Sequence, residues 1–239
     1  MRPALKTVDA VEAGEPLETR FSGEPVLLDP AGVAYFPQTR LLVVSDLHLE
    51  TASSFARKRI FLPPYDTPAT LARLTALVAK YDPAMVVSLG DSFHDEHASQ
   101  RISAQTQATI EAMAIGREVI WVTGNHDPLP PENCPGDAVG ELAIGGVTLR
   151  HIAQPTHREA EISGHYHPAA VLRGRGKAIR RNCFACDGRR MIMPAFGVFT
   201  GGLSIAHPDV WPLFDPARFC AYMLGSDKVY PIGAKDLIG

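Results

Sequence analysis

The sequence predicts an α/β (α+β) chain, two mixed sheets packed face to face with helices outside. Three observations carry this. Apolar runs at 41–44, 85–89 and 118–122 alternate with helical patterns, the βαβαβ order of a mostly parallel sheet. Beyond residue 140 the helical patterns stop, and short strands with glycine turns take over. Each of the three apolar runs leads into polar residues, where open α/β sheets place their ligands.

Residues 1–20 are polar and acidic with little periodicity, which predicts a frayed or disordered tail. Val26-Leu-Leu28 and Val33-Ala-Tyr-Phe36 flank the turn Asp29-Pro-Ala-Gly32 and predict two short antiparallel strands before the strand that runs from Leu41 to Asp46. Residues 49–66, with Arg57-Lys-Arg59 and Pro63-Pro64, read as a surface loop. Thr67-Pro68 reads as an N-cap and first helical position. Leu71, Leu74, Leu77 and Val78 then give the core-facing stripe of a helix reaching about Lys80. Asp82-Pro83 separates it from the strand Met85–Leu89. A second helix is expected from Ala98 to Ile115, stopped by Gly116, before the strand Glu118–Val122. Downstream, Glu141–Ile144 and Val147–His151 read as a hairpin about Gly145-Gly146, and Glu161-Ile-Ser163 leads into Gly164-His-Tyr-His167. Val171-Leu172, Met191–Met193 and a last hairpin, 219–223 with 228–231, complete the strands. No repeat or linker divides the chain, so residues 1–239 are expected to form one domain.

With 46% apolar and 21% charged residues, the composition is that of a globular protein with a real core, and a net charge of −3 gives no overall field for polyanions. Cys134, Cys183, Cys186 and Cys220 are too few and too unevenly spaced for a disulfide scaffold, and read as reduced thiols of a cytoplasmic protein. The acidic first 28 residues hold no apolar signal-peptide core, and no run approaches the ~20 apolar residues of a membrane span.

The candidate metal ligands are Asp46, His48, Asp91, Asn125, His151, His165 and His167. Alone, Asp-x-His reads equally well as a capped turn beside a histidine, and Asn125 after Gly124 as an ordinary left-handed turn residue. Together they are a set of carboxylate, imidazole and amide donors with no cysteine. Such a set suits Mn²⁺, Fe or Zn²⁺. Seven donors are too many for one tetrahedral ion and fit two ions sharing a carboxylate, the device used for in-line displacement at phosphorus. His157 competes with His151, which is preferred because it ends a readable strand. His94 and His97 are read as flanking the site, and His207 as an ordinary histidine.

Asp-x-His, Gly-Asp, Gly-Asn-His-Asp, a lone His and Gly-His-x-His, in this order over residues 41–167, resemble the calcineurin-like metallophosphoesterase superfamily. Val43–Glu50, Pro63–Thr67, Gly90–Asp95 and Pro194–Gly202 resemble its ligase-associated DNA-damage-response phosphoesterases or endonucleases. The resemblance implies a four-layer α-β-β-α sandwich of the metallo-dependent phosphatase type and two divalent ions, Mn²⁺ first, with Fe or Zn²⁺ as alternatives. It assigns one ion to Asp46, His48, Asp91 and His167, and the other to Asp91, Asn125, His151 and His165. Asp91 would be the bridge, and a water between the ions, its pKa lowered, would supply the hydroxide that attacks phosphorus. His126 matches the general acid, and Asp95 is expected to orient an imidazole. The resemblance departs at Thr51, where the subfamily carries lysine, so substrate preference is expected to differ there.

Seven basic residues against Asp187 lie between 173 and 190, among them Arg173 and Arg175 close after His167, and Arg57 with Arg59 follows His48. These four arginines are the candidate substrate contacts. Two basic loops beside a dimetal site fit DNA or another polyanionic phosphodiester, though a basic run can also be a solvated face. The expected function is hydrolysis of DNA phosphodiesters in a repair setting, with DNA ligase or helicase partners implied by the family alone. The alternatives are a phosphoesterase for nucleotides or small phosphodiesters and pyrophosphates, and a non-catalytic scaffold, which complete motifs disfavour. Cys183-Phe-Ala-Cys186 lacks two further zinc ligands and is read as structural.

Overall fold

In the computed structural model, residues 14–129, 131, 133–156, 159–174 and 177–237 are described. Residues 1–13 of the expected tail, His157 and Arg175 lie outside them.

The first sheet holds seven strands in sequence order: β1 (Leu17–Phe21), β2 (Glu24–Leu28), β3 (Ala34–Phe36), β4 (Leu41–Val44), β5 (Met85–Leu89), β6 (Glu118–Val122) and β7 (Asp137–Val139). β1 to β4 pair antiparallel, and β4 to β7 pair parallel. The helices α1 (Thr51–Arg57), α2 (Asp66–Tyr81) and α3 (Ala104–Ala114) fall in the crossovers between parallel strands. Successive right-handed crossovers in one direction put them on one face. Strand alternation then divides the core. Leu42, Val44, Val86 and Trp121 meet Leu71, Leu74, Leu77 and Val78 of α2. Val43, Val87, Ile120 and Val122 meet Leu149, Ile162, Phe184 and Met191 of the second sheet. Burial on both faces is why these strands read as unbroken apolar runs.

The second sheet contains β8 (Glu141–Ile144), β9 (Val147–Arg150), β10 (Ala160–Ser163), β11 (Pro168–Gly174), β12 (Lys177–Cys186), β13 (Arg190–Ile192), β14 (Leu203–Ser204), β15 (Cys220–Leu224) and β16 (Val229–Gly233). Its order is β14-β11-β12-β13-β10-β9-β8, with β15 paired to β12 and to β16. The predicted hairpin β8–β9 turns on Gly145 and Gly146, both left-handed (φ 57° and 78°), as a tight two-residue turn requires. The outer face is covered by Ile205, Val210, Phe214 and Phe219, from a segment whose only helical piece is the 3₁₀ turn Trp211–Leu213. The α-β-β-α sandwich is therefore thin on this side.

Four local expectations are corrected. Residues 17–20, placed in the tail, belong to β1, whose five alternating residues give too short a signal among acids. The 49–66 loop contains α1, and seven residues are too few for a legible period. Thr67 does not cap α2, which starts at Asp66; its Oγ1 accepts from Glu50 N–H (2.7 Å), and Asp66 Oδ2 accepts from Ala52 N–H (3.0 Å), so both cap the start of α1. The helix expected over 98–115 is broken into a 3₁₀ turn, Ala98–Arg101, and α3, where Ser103 accepts from Thr106 N–H (3.1 Å) as N-cap.

Candidate metal centre

The ends of β4, β5 and β6 in one sheet and of β9 and β10 in the other converge, and the candidate ligands sit in the loops just beyond them. Two residues apart at the end of a strand, Asp46 and His48 would share a direction by strand alternation. The strand stops at Val44 instead, and both residues are left-handed (φ 53° and 44°), as are Asp91 (45°), His165 (69°) and His167 (45°). Left-handed non-glycine residues cost roughly 1–3 kcal/mol each, and such strain gathers at functional sites. It is held here by backbone bonds between loops: Asp46 N–H donates to Gly90 C=O (3.2 Å) and His48 N–H to Asp91 C=O (2.9 Å).

The glycines of the motifs have a steric reason. A Cβ on Gly90 would meet the His151 ring, one on Gly124 the Asp91 carboxylate, and one on Gly164 the Ser45 hydroxyl and Asp46 carboxylate. The backbone at all three must lie against a ligand side chain.

The ligand atoms form two clusters, Asp46, His48 and His167 in one and Asp91, His151 and His165 in the other, each within 4.8 Å. His48 Nε2 and His167 Nε2 are 3.4 Å apart, and Asp46 Oδ1 is 3.1 Å from the latter. In the second cluster His151 Nδ1–H donates to Leu89 C=O (2.8 Å), leaving Nε2 of the neutral ring bare. That nitrogen is 2.9 Å from Asn125 Oδ1, 3.3 Å from His165 Nδ1 and 3.4 Å from Asp91 Oδ1. Acceptors crowding a bare nitrogen call for a cation among them, and the carbonyl that fixes the ring is the usual outer support of a metal-bound histidine. His48 Nδ1, buried without a partner, is the weaker point of this support. Asp91 links the clusters. Its Oδ1 faces His151, while its Oδ2 lies 4.0 Å from His48 Nε2 and 4.0 Å from His126 Nε2. Burial pushes the Asp91 carboxyl up, but the His151 ring beside it and the hydrogen bond from the His126 N–H outweigh it and hold it at about 2. The donors thus fit two divalent ions bridged by Asp91.

Beside the clusters, His126 is 43% exposed and donates through Nδ1–H to His94 C=O (2.9 Å), leaving Nε2 on the Asp91 side. Asp95 does not orient an imidazole: its carboxylate is taken by both Arg101 nitrogens (2.9 and 2.6 Å), which hold it well below the usual carboxylate range. Thr51 is buried rather than turned to substrate, with Oγ1 donating to His48 C=O (2.7 Å) and lying 3.2 Å from His94 Nδ1. Asp127, the last residue of Gly-Asn-His-Asp, has a role that its sequence hides. Its two oxygens accept from Gly124 N–H (3.0 Å) and Phe93 N–H (3.1 Å), stapling the β6 loop to the β5 loop, and burial pushes its carboxyl up to about 6. Two acceptable backbone donors 31 residues apart leave no sequence pattern.

Arg57 and Arg59 are exposed at and after the end of α1, and Arg173 falls in β11, which opens directly after His167. Arg180 of the paired strand β12 donates to Gly202 C=O, near His167. His97 and His207 lie away from both clusters, beside Glu96 and Asp209. Cys183 and Cys186, three apart on β12, face opposite sides of the sheet and enter different cores, so they do not act as a pair.

No protein of curated function matches the chain. Among solved structures, the Pseudomonas putida nuclease MPE is 29% identical and superposes with a TM-score of 0.71, covering 91% of this chain and 100% of its own. The Escherichia coli phosphoesterase Yfce, 14% identical, gives a TM-score of only 0.39 over 81% of this chain and 98% of its own. The calcineurin-like phosphoesterase profile matches residues 39–185, a span that includes every residue of both ligand clusters. With that match and this geometry, the chain belongs to the calcineurin-like phosphoesterase family and is a hydrolase of phosphoester bonds.

Proposed function

We propose that the protein is a dimetal phosphodiesterase that cuts DNA, in a cytoplasmic repair setting with DNA ligases or helicases as partners. The observation that carries the chemistry is Asp91, which turns one oxygen to each cluster while His126 Nε2 stands 4.0 Å from it. Two divalent ions, Mn²⁺ before Fe or Zn²⁺, would be held by Asp46, His48, Asp91 and His167, and by Asp91, Asn125, His151 and His165. When bound they supply positive charge against a phosphate and lower the pKa of water. The chain's own residues do the rest. His151, its Nδ1–H held by Leu89 C=O, would present Nε2 to the second position beside Asn125 Oδ1. His126, its Nδ1–H tied to His94 C=O, keeps Nε2 free to carry a proton to the departing oxygen. The exposed Arg57 and Arg59 and the basic β11–β12 hairpin support a polyanionic substrate, and the likeness to a Pseudomonas nuclease supports a nucleic acid.

The test is purified protein with Mn²⁺ on plasmid DNA, single-stranded DNA, nucleotides and bis-nitrophenyl phosphate. Cleavage of DNA at a higher kcat/KM than nucleotides, with affinity falling steeply in salt, is expected. Turnover confined to nucleotides would overturn the reading.

A further inference from the structure

Ten large apolar side chains are exposed among the described residues, and five of them, Ile60, Phe61, Tyr65, Val198 and Phe199, lie on two segments tied to the metal centre. Tyr65 directly precedes Asp66 and Thr67, which hold the N–H groups of Ala52 and Glu50 just after His48. Phe199 lies in a loop fixed at both ends to ligand backbone, Gly197 N–H on Asp46 C=O (3.0 Å) and Leu203 N–H on His167 C=O (2.9 Å). The two rings meet across the gap with centroids 6.0 Å apart, and remain 57% and 37% exposed. Cations lie on the neighbouring stretches of chain: Arg57, Lys58 and Arg59 are exposed at the end of α1, shortly before Tyr65, and Arg180 reaches Gly202 C=O in the Phe199 loop.

Exposed aromatic side chains on segments bonded to the ligand loops, with cations on the neighbouring stretches, suit a partner with an apolar face and nearby negative charge. A duplex presents phosphates and sugars outward and keeps its base faces stacked inside. An unpaired nucleobase offers a π-face with a phosphate on each side. Resting on the nuclease reading above, we propose that Tyr65 and Phe199 form a base-stacking subsite that takes one unpaired nucleobase beside the scissile phosphate. The subsite sets which linkage along a strand enters the metal centre. The neighbouring arginines hold the phosphates of the same strand.

The experiment is cleavage of a 5′-labelled oligonucleotide with Mn²⁺, mapped at nucleotide resolution, with a single abasic residue moved along it. Wild type, Tyr65→Ala, Phe199→Ala and Phe199→Trp are compared, with bis-nitrophenyl phosphate as a substrate that has no base. Either alanine variant should raise KM on the intact oligonucleotide by about 5- to 100-fold, a factor well beyond any change on bis-nitrophenyl phosphate, and Phe199→Trp should retain affinity. One abasic position should cost the wild type a similar factor and cost the alanine variants little more. A KM shift below twofold, or abasic and alanine losses that multiply, would overturn the subsite while leaving the nuclease reading intact. Hydrolysis of bis-nitrophenyl phosphate with no cleavage of any oligonucleotide by the wild type would overturn both.

Discussion

Asp91→Asn isolates the bridge. Asparagine keeps the shape and keeps one oxygen to accept the His126 N–H (2.9 Å), so the β6 loop stays in place. It removes the charge that faces both clusters, and puts an amide donor where Oδ2 lies 4.0 Å from His48 Nε2. An ion present at 100 times its Kd stabilises the folded state by about 2.7 kcal/mol, which for a chain of this size corresponds to roughly 5–10 °C in Tm. Wild-type protein should therefore lose roughly 10–20 °C on chelation if both positions fill independently. Asp91→Asn should show less than half that shift, and fewer than two ions per chain by elemental analysis. Two tightly held ions with a full thermal shift in the variant would refute the bridging role.

Three further expectations follow from the same geometry. His126→Ala should keep both ions and lose roughly 10²–10⁴-fold in turnover on a sugar-ester leaving group, with a much smaller loss on bis-nitrophenyl phosphate, whose leaving group departs unprotonated; equal losses on both substrates would reassign His126. Asp127→Ala leaves the Gly124 and Phe93 N–H groups without their acceptor and should cost about 2–5 kcal/mol in urea unfolding, so a loss below about 0.5 kcal/mol would discard the staple. Burial raises the Cys186 thiol to about 12 and pushes Cys183 higher still, so at pH 8 only about one Cys186 in ten thousand is thiolate. Neither should react with iodoacetamide until the protein is unfolded, and rapid labelling of the native protein, read by mass spectrometry, would contradict their burial.

The donors that cluster in the structure were legible because motif chemistry is local. Asp46 with His48 and Gly90 with Asp91 each follow a strand that burial on both faces makes plainly apolar, while His165 with His167 are marked by their own Gly-His-x-His spacing after the short strand Ala160–Ser163. The helix α2 was legible for the same reason, since Leu71, Leu74, Leu77 and Val78 repeat at its period. Short elements were not: α1 and β1 hold too few residues for a pattern. The longer β12 was hidden because a strand rich in arginine reads as a charged loop.

The sequence by itself determined the sandwich, the donor chemistry and the order in which the ligands occur, because each depends on residue type and period. Only the tertiary structure decided how they act together. It turned the loops after β4 and β5 left-handed, so that Asp46 and His48 converge through backbone strain and not through strand alternation. It gave Asp91 one oxygen for each cluster, spent Asp95 on Arg101, buried Thr51 against His48 and His94, and made Asp127 the staple between two loops. These outcomes depend on distances between segments far apart in the chain, and such distances exist only once both sheets have packed.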